Sequence, residues 1–270
     1  MSECFQYIFI KNNTTKPSKD FNDKILLRGI ALYEVIRIVS GKPLFLEAHF
    51  ERLTNSASQI KQNIWLNFDQ IKKNIAKLIA VNNCQYGNIK LVFQIDGNNK
   101  TFLAYFIKHY YPNEEQYQNG VKTLIHPAER PIPNAKVYNH TLRSKTNDLI
   151  KDAEIFEVLL LNSMGNITEG SRSNLFFIKN NELHTALDAD VLRGIIRGKV
   201  IEAAEALKIP IRKHSIQYDN LPNYDAAFLT GTSLLILPIN RINSISYSST
   251  HDIISRLSEV LQTKIKDYLE

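Results

Sequence analysis

The sequence predicts an α+β protein in two parts, and three observations carry that reading. At 270 residues the chain is long for a single core. Its first hundred residues pattern as strands interrupted by one pair of helices. A polar, proline-marked stretch then separates them from a second run of strands and helices. The expected division is a smaller α/β domain over residues 1–110, a linker over 111–120, and a larger domain over 121–270.

Residues 5–10 alternate as a strand does, whereas 12–23 is polar, broken by Pro17, and reads as a loop. Residues 31–39 are rich in β-branched side chains, Gly41-Lys42 is a turn, and 43–46 continues apolar, which predicts a hairpin. Phe50, Leu53 and Ile60 fall on a helical period within 48–62, as do Ile71, Ile75, Leu78 and Ile79 within 66–81. Strands at 89–95 and 101–107 flank the hairpin turn Gly97-Asn98-Asn99. Past the linker, a strand at 121–125 precedes a helix near 147–156 and a strand at 158–161. Residues 174–179 and 182–185 form a hairpin around Asn180-Asn181. A helix over 195–207 sets Ile196, Val200, Ala203 and Leu207 on one face. Strands at 209–211, 226–229 and 234–239 follow, and an amphipathic helix over 253–269 closes the chain. No internal repeat or low-complexity segment is present.

Composition excludes several classes. Hydrophobic content of 44% and charged content of 22% are globular values. The net charge of +6 is spread over scattered lysines, with no basic block interleaved with aromatics, so no nucleic-acid partner is expected. A pocket for an anion would account for part of that excess. Cys4 and Cys84 are too few for a disulfide framework, and neither has a Cys or His at metal-ligand spacing. A reducing, cytoplasmic setting and no metal are the expectations. The first ten residues do not read as a secretory signal, and no run of about 20 apolar residues is there to span a bilayer.

Two stretches carry chemistry. Lys136 ends Pro133-Asn134-Ala135-Lys136, where Pro131, Pro133 and Asn134 stiffen the approach. A lysine in an apolar, partly closed pocket loses its preference for the charged form and becomes a nucleophile toward an aldehyde. Taken alone, it reads as a surface lysine, and Lys145 in Arg143-Ser144-Lys145 competes with it. Glu169 opens Glu169-Gly170-Ser171-Arg172-Ser173-Asn174, between the turn at Ser163-Met164-Gly165-Asn166 and a Gly-Ser-rich loop. A carboxylate there can hold a pyridine nitrogen positive and make the ring an electron sink. Ser173 and Asn174 are potential hydrogen-bond donors to such a cofactor. Turn residues and an exposed glutamate are the plain alternative. Gly194-Ile195-Ile196 opens a helix whose first N–H groups suit a phosphate, and Thr230-Gly231-Thr232-Ser233 is a second small-residue turn of that kind. His49 and Arg52 lie three apart on one helix face, where Arg52 suits a phosphate dianion or pairs with Glu47 or Glu51.

In their order along the chain these pieces resemble class IV of the pyridoxal phosphate enzymes, the fold-type IV aminotransferases. That family includes branched-chain aminotransferases, D-amino-acid aminotransferases and aminodeoxychorismate lyase. The resemblance spans roughly residues 28–239. It is carried by Tyr33-Glu34-Val35-Ile36-Arg37, His49-Phe50-Glu51-Arg52-Leu53, Pro133 to Lys136, Asn139, Leu159-Leu160-Leu161-Asn162, Thr168 to Phe176, Leu192 to Arg197, and Thr232. It implies a small α/β N-terminal domain, a larger β-barrel-like C-terminal domain with flanking helices, and assembly as a homodimer. It also implies that Lys136 forms the internal aldimine with pyridoxal 5′-phosphate and shuttles the proton, with Glu169 on the pyridine nitrogen. Arg52, the N–H groups of Ile195 and Ile196 after Gly194, and Thr232 become the phosphate cup. Leu192 packs on the ring, His140 stands near the phenolic oxygen, and Tyr33, Lys90 and Ser233 belong to the substrate side.

The departures from the pattern concern the substrate half. His140 follows Asn139 where the family often has Tyr. Gln94-Ile95-Asp96-Gly97 lacks the Arg of the D-amino-acid enzymes. Asn88-Ile89-Lys90 replaces the Tyr-x-Arg of the branched-chain enzymes, and Val35 replaces their Gly. Lys90 resembles a lysine of aminodeoxychorismate lyase, whereas Tyr33-Glu34 is aminotransferase-like. The expected activity is transfer of an amino group from a small amino acid to a 2-keto acid. The alternative is a lyase releasing pyruvate. A protein that binds the cofactor without turnover, and an α/β protein with chance matches, are the remaining readings.

Overall fold

The computed structural model describes residues 2–270, which divide into two compact units. The first holds the residues up to Tyr110 with Ala135–Tyr138 and Asp267–Glu270, and the second holds Tyr111–Asn134 and Asn139–Lys266.

The first unit is an antiparallel sheet. Its strands are β1 Ile8–Lys11, β2 Thr14–Pro17, β3 Ile30–Val39, β4 Lys42–Pro43, β5 Gly87–Asp96 and β6 Asn99–Ile107, in the order β2-β1-β6-β5-β3-β4. Helices α1 Leu46–Gln59 and α2 Phe68–Asn82 cover one face. The two-residue period of the strands decides which side chains they meet. Leu32, Ile36, Ile89, Leu91, Phe93, Phe102 and Phe106 pack with Leu53 and Ala57 of α1 and Ile71, Ile75 and Leu78 of α2. The intervening Ala31, Tyr33, Val92, Leu103 and Tyr105 pack on the other face with Cys4, Phe9 and Leu26. The expected loop over 12–23 contains β2. Asn12 and Asn13 both adopt left-handed backbone, at φ 48° and 68°, and turn β1 back on itself. Pro17 is tolerated because it ends an edge strand. Residues Ala135–Tyr138 run along β3. Tyr33 N donates to Lys136 O at 3.0 Å and Tyr138 N to Ala31 O at 2.8 Å, with Val137 opposite Leu32.

The second unit starts with α3 Glu114–Asn119, β7 Val121–Pro127, α4 His140–Asp152, β8 Glu157–Leu161, β9 Asn166–Gly170, β10 Asn174–Lys179 and β11 Glu182–Thr185. It continues with α5 Ile195–Ala206, β12 Ile211–Lys213, β13 Ile216–Gln217, β14 Ala226–Gly231, β15 Leu235–Ile242, β16 Ile245–Ser246 and α6 Asp252–Leu269. Its curled sheet runs β12-β11-β10-β14-β15-β7-β8-β9-β13, with β16 on β15. Leu159, Leu175, Phe177, Leu229, Leu237 and Ile239 fill one side of it.

Local chemistry explains where this unit departs from the sequence reading. Helix α4 begins seven residues earlier than expected because Asn139 caps it, its Oδ1 accepting from Leu142 N at 3.0 Å. A capping box between Asn113 and Gln116 folds the end of the expected linker into α3. The segment expected as a turn and loop around Glu169 contains β9, so that carboxylate stands on a strand. The two-residue strands β13 and β16 carry no sequence pattern long enough to read. No helix among the described residues is long and apolar enough to cross a membrane.

Candidate active site

In the first unit, Lys136 is held by its backbone. Its N–H donates to Ser56 Oγ at 3.1 Å and its C=O accepts from Tyr33, so the residue is pinned between α1 and β3. Its Nζ stands 4.7 Å from the centroid of the Tyr33 ring. The competing Lys145 is exposed on α4. Tyr33 carries a second ammonium, that of Lys90, 5.1 Å from the same centroid and 4.5 Å from that of Tyr138. Lys90 is only 3% exposed, and its charge is met by Glu3, whose two oxygens lie 2.7 and 2.9 Å away. Tyr105 OH donates to the same carboxylate at 2.7 Å, and burial, then the charge of Glu3, pushes the Tyr105 phenol well up.

On the helix-covered face of that sheet, Glu34 is fully buried. Arg52 grips it with Nε on one oxygen at 2.8 Å and Nη2 on the other at 2.6 Å, and His49 Nδ1 lies 2.7 Å from the second. Burial alone would raise the Glu34 carboxyl. The charge and hydrogen bonds of Arg52, with those of His49, outweigh it and bring the group to about 2. Burial pulls His49 down, and Glu34 opposes that while Arg52 and Lys136 add to it. Neither Glu47 nor Glu51 is the partner of Arg52; Glu34 is.

In the second unit, Glu169 is 3% exposed rather than an exposed turn residue. Arg130 Nε donates to its Oε1 at 2.7 Å, while Leu192 N and Asn174 Nδ2 donate to Oε2 at 3.2 and 3.3 Å. Asn174 Nδ2 also reaches Leu192 O at 2.8 Å, which fixes Leu192 at the approach to α5. Gly194 is the N-cap of α5 and no side chain caps it, so the first N–H groups of the helix keep the anion-seeking character of a helix start. The neighbouring Arg197 is taken up structurally, by Asp188 at 2.6 Å and Ala186 O at 2.9 Å. Thr232 and Ser233 are half-buried in the turn after β14. His140 is exposed as the first residue of α4, and the aromatic beside Tyr33 and Lys90 is Tyr138 instead.

Whether these donors suit a phosphorylated pyridine is tested by an orphan. Thr230 Oγ1 is buried and has no hydrogen-bond partner among the described residues. It stands opposite Asn174 in the β10–β14 register, next to the residue that holds Glu169 and Leu192. A buried carboxylate, an uncapped helix start and an unsatisfied hydroxyl form a set with places for a ring nitrogen and for anionic oxygens. The residues fit the group. No cluster of three metal-ligating side chains occurs among the described residues.

Sequence reasoning missed Arg130, Glu3, Glu157 and Tyr138, and it assigned Glu34 no partner. Glu157 accepts from Ser171 Oγ and Ser173 Oγ, so the hydroxyl proton of Ser173 goes to that carboxylate. Such partners lie far apart along the chain, Glu3 and Lys90 by 87 positions and Glu3 and Tyr105 by 102, and nothing local marks them.

The family model described as amino-transferase class IV matches residues 31–242. A Thermotoga maritima "probable branched-chain-amino-acid aminotransferase" is 31% identical over 80% of this chain and 79% of its own length. A Bacillus licheniformis D-alanine aminotransferase is 27% identical over 83% of each. A Bacillus subtilis aminodeoxychorismate lyase is 24% identical over 92% of this chain and 89% of its own length. Among solved structures, Escherichia coli branched-chain amino acid aminotransferase superposes with a TM-score of 0.86 at 20% identity, over 97% of this chain and 95% of that one. By its sequence match over most of its length, this chain belongs to the class IV aminotransferase family.

Proposed function

We propose that this protein is a pyridoxal-phosphate-dependent aminotransferase that moves an amino group from a small amino acid to a 2-keto acid. The observation that carries the reading is the setting of Glu169, a buried carboxylate already oriented by Arg130, Asn174 and the Leu192 N–H. Solved proteins of this fold include a branched-chain amino acid aminotransferase with pyridoxamine 5′-phosphate, at a TM-score of 0.84 and 21% identity over 98% of this chain. When bound, the cofactor supplies a carbonyl that accepts the amino group and a ring that accepts electron density.

The residues of the chain do the rest. Lys136 would be the point of covalent attachment, and its Nζ, once free, would take the proton from the substrate Cα and deliver it to the cofactor carbon that had carried the carbonyl. Its backbone bonds to Ser56 and Tyr33 hold that nitrogen's reach constant. Glu169 keeps the ring nitrogen protonated, and Arg130 keeps the Glu169 carboxylate in place. The N–H groups of Ile195 and Ile196, with Thr232 and Arg52, bind the phosphate. Leu192 packs against the ring, and Tyr33 walls the substrate. Assembly as a homodimer belongs to the same proposal, and sedimentation velocity tests it.

Lys90 favours a second reading, a lyase that releases pyruvate, because a buried ammonium beside Tyr33 suits an anionic substrate. One experiment separates the two. Purified protein with pyridoxal phosphate is offered L- and D-amino acids with 2-oxoglutarate or pyruvate, and in parallel aminodeoxychorismate. New amino acid supports the transferase, and pyruvate from aminodeoxychorismate supports the lyase. Absence of both products, with no borohydride-fixed adduct on Lys136, overturns the proposal.

A further inference from the structure

Glu157, at the start of β8, is 2% exposed, and among the described residues no lysine or arginine pairs with it. Its carboxylate instead takes four neutral donors. Oε1 accepts from Val158 N at 2.9 Å and Ser171 Oγ at 2.7 Å, and Oε2 accepts from Arg172 N at 3.1 Å and Ser173 Oγ at 3.0 Å. Four donors match the acceptor directions of an ionised carboxylate. A buried carboxylate without a counter-ion is costly, and what this one organises is a single loop.

That loop, from Gly170 to Ser173, joins the strand bearing Glu169 to the strand bearing Asn174. Besides Glu157, it is tied by Gly170 N to Ser173 O and Ser171 N to Val158 O, each at 2.8 Å. Two of the three holds on Glu169 hang from it. Arg130, which donates to Oε1 of Glu169, also rests its Nη2 on Ser171 O at 2.6 Å. Asn174, which donates to Oε2, directly follows Ser173. The loop is close-packed as well, since a Cβ at Gly170 would strike Ser173 Oγ and press Glu157 Cγ at 3.1 Å.

We propose that Glu157 is a positioning residue: by gathering the Gly170–Ser173 loop it sets Arg130 and Asn174, and through them the orientation of Glu169 toward a cofactor ring. This rests on the functional reading above. Glutamine at 157 cannot substitute. Its amide nitrogen would face either Val158 N–H with the Ser171 hydroxyl, or Arg172 N–H with the Ser173 hydroxyl. The hydroxyls can turn to accept, but the backbone N–H groups cannot.

The test uses the full-length protein loaded with pyridoxal phosphate, and compares wild type, Glu157→Gln, Ser171→Ala and Tyr247→Phe. Tyr247 donates to Leu221 O at 2.8 Å from a buried position away from the loop, so its loss is structural only. Three readouts are taken: melting temperature, cofactor dissociation constant, and the near-ultraviolet and visible absorbance of the bound cofactor. For Glu157→Gln the expected result is at least about tenfold weaker cofactor binding and an altered absorbance spectrum. Ser171→Ala should change both in the same direction by less, and Tyr247→Phe should lower only the melting temperature. Wild-type spectrum and affinity in the first two variants overturn the inference while leaving the function standing. Should Glu157→Gln fail to fold, Ser171→Ala decides by the same criterion. A wild-type protein that takes up no cofactor overturns the functional reading itself, and this inference with it.

Discussion

At the scale of the residue, acid sensitivity should trace to Glu34. Its folded carboxyl sits at about 2, below the ordinary 4.5. A depressed value means the folded state binds fewer protons than the unfolded one. The stabilisation is therefore complete above the unfolded value and is lost as pH falls from about 4.5 through about 2. It amounts to on the order of 3 kcal/mol. His49, also depressed, acts in the same sense below its own ordinary value. We predict that Glu34→Gln loses about 3 kcal/mol at pH 7, because Arg52 is left buried without its carboxylate. Its stability should also change less than wild type's between pH 5 and pH 3. Urea titrations at the three pH values measure this, and an unchanged acid slope in the variant would assign the sensitivity elsewhere. A second residue-scale prediction concerns Glu3. Replacing it with Gln strips Lys90 of its counter-charge, so the melting temperature should fall, while KM for acidic substrates drops relative to neutral ones. An equal KM for both classes before and after the change would separate Lys90 from substrate. Residue type and motif order single out Lys136 and Glu169 as candidates in the sequence. It could not show Arg130, 39 positions from Glu169, or Glu3, 87 from Lys90, because such pairings exist only once the sheets have formed.

At the scale of the element, period and capping explain both what was readable and what was not. α1, α2, α5 and α6 were found because apolar side chains recur along one face over three turns or more. α4 was cut short at its start because its first turns, His140 to Lys145, are polar and carry no such stripe; only the Asn139 cap marks them. β9 escaped because the turn-forming Asn166 and Gly170 stand at its two ends, so their local preference masked five residues of strand. The start of α5 gives the prediction at this scale. Gly194 has φ −64° and ψ 138°, a conformation open to any residue, so what demands glycine there is space. A Cβ would run into Asn174 Oδ1 and come within 3.4 Å of Arg197 Cβ. Gly194→Ala must push Asn174 away from Leu192 O and Glu169. We expect a loss of about 1–2 kcal/mol of stability and about tenfold weaker cofactor binding. Gly198→Ala, in the same helix with nothing within 4 Å of its Cβ, should be neutral or slightly stabilising. Equilibrium dialysis of the two variants measures the difference, and equal cofactor affinity would remove Gly194 from the site.

At the scale of the whole molecule, the chain does not keep each unit to one stretch of sequence. It leaves the first unit after Tyr110, returns for Ala135–Tyr138 and again for Asp267–Glu270. Sequence reading placed one break near residue 110. It had no means of seeing that four residues from the far side of the break would line β3, since they carry no strand pattern of their own. Those four include Lys136, on which the proposed chemistry depends. Their backbone bonds to Ala31 and Tyr33 cover the half of β3 that β4, paired only with Ile38 and Val39, leaves open. A fragment of residues 1–110 should therefore present an uncovered edge there. It would lack a partner for the Tyr33 N–H and the Ala31 C=O, and it would also lose the Tyr268 ring that packs 4.9 Å from Phe45. We predict that the fragment melts at a lower temperature than the intact chain and self-associates. Its Tyr33 amide should exchange with solvent far faster than in the full-length protein, while Phe93, in the middle of β5 and bonded on both sides, keeps its relative protection. Hydrogen exchange read residue by residue decides the matter. Equal protection of Tyr33 in fragment and intact chain would mean that β3 finds its edge without the Lys136 segment, and that the backbone bonds of Lys136 to Tyr33 and Ser56 do not fix the lysine.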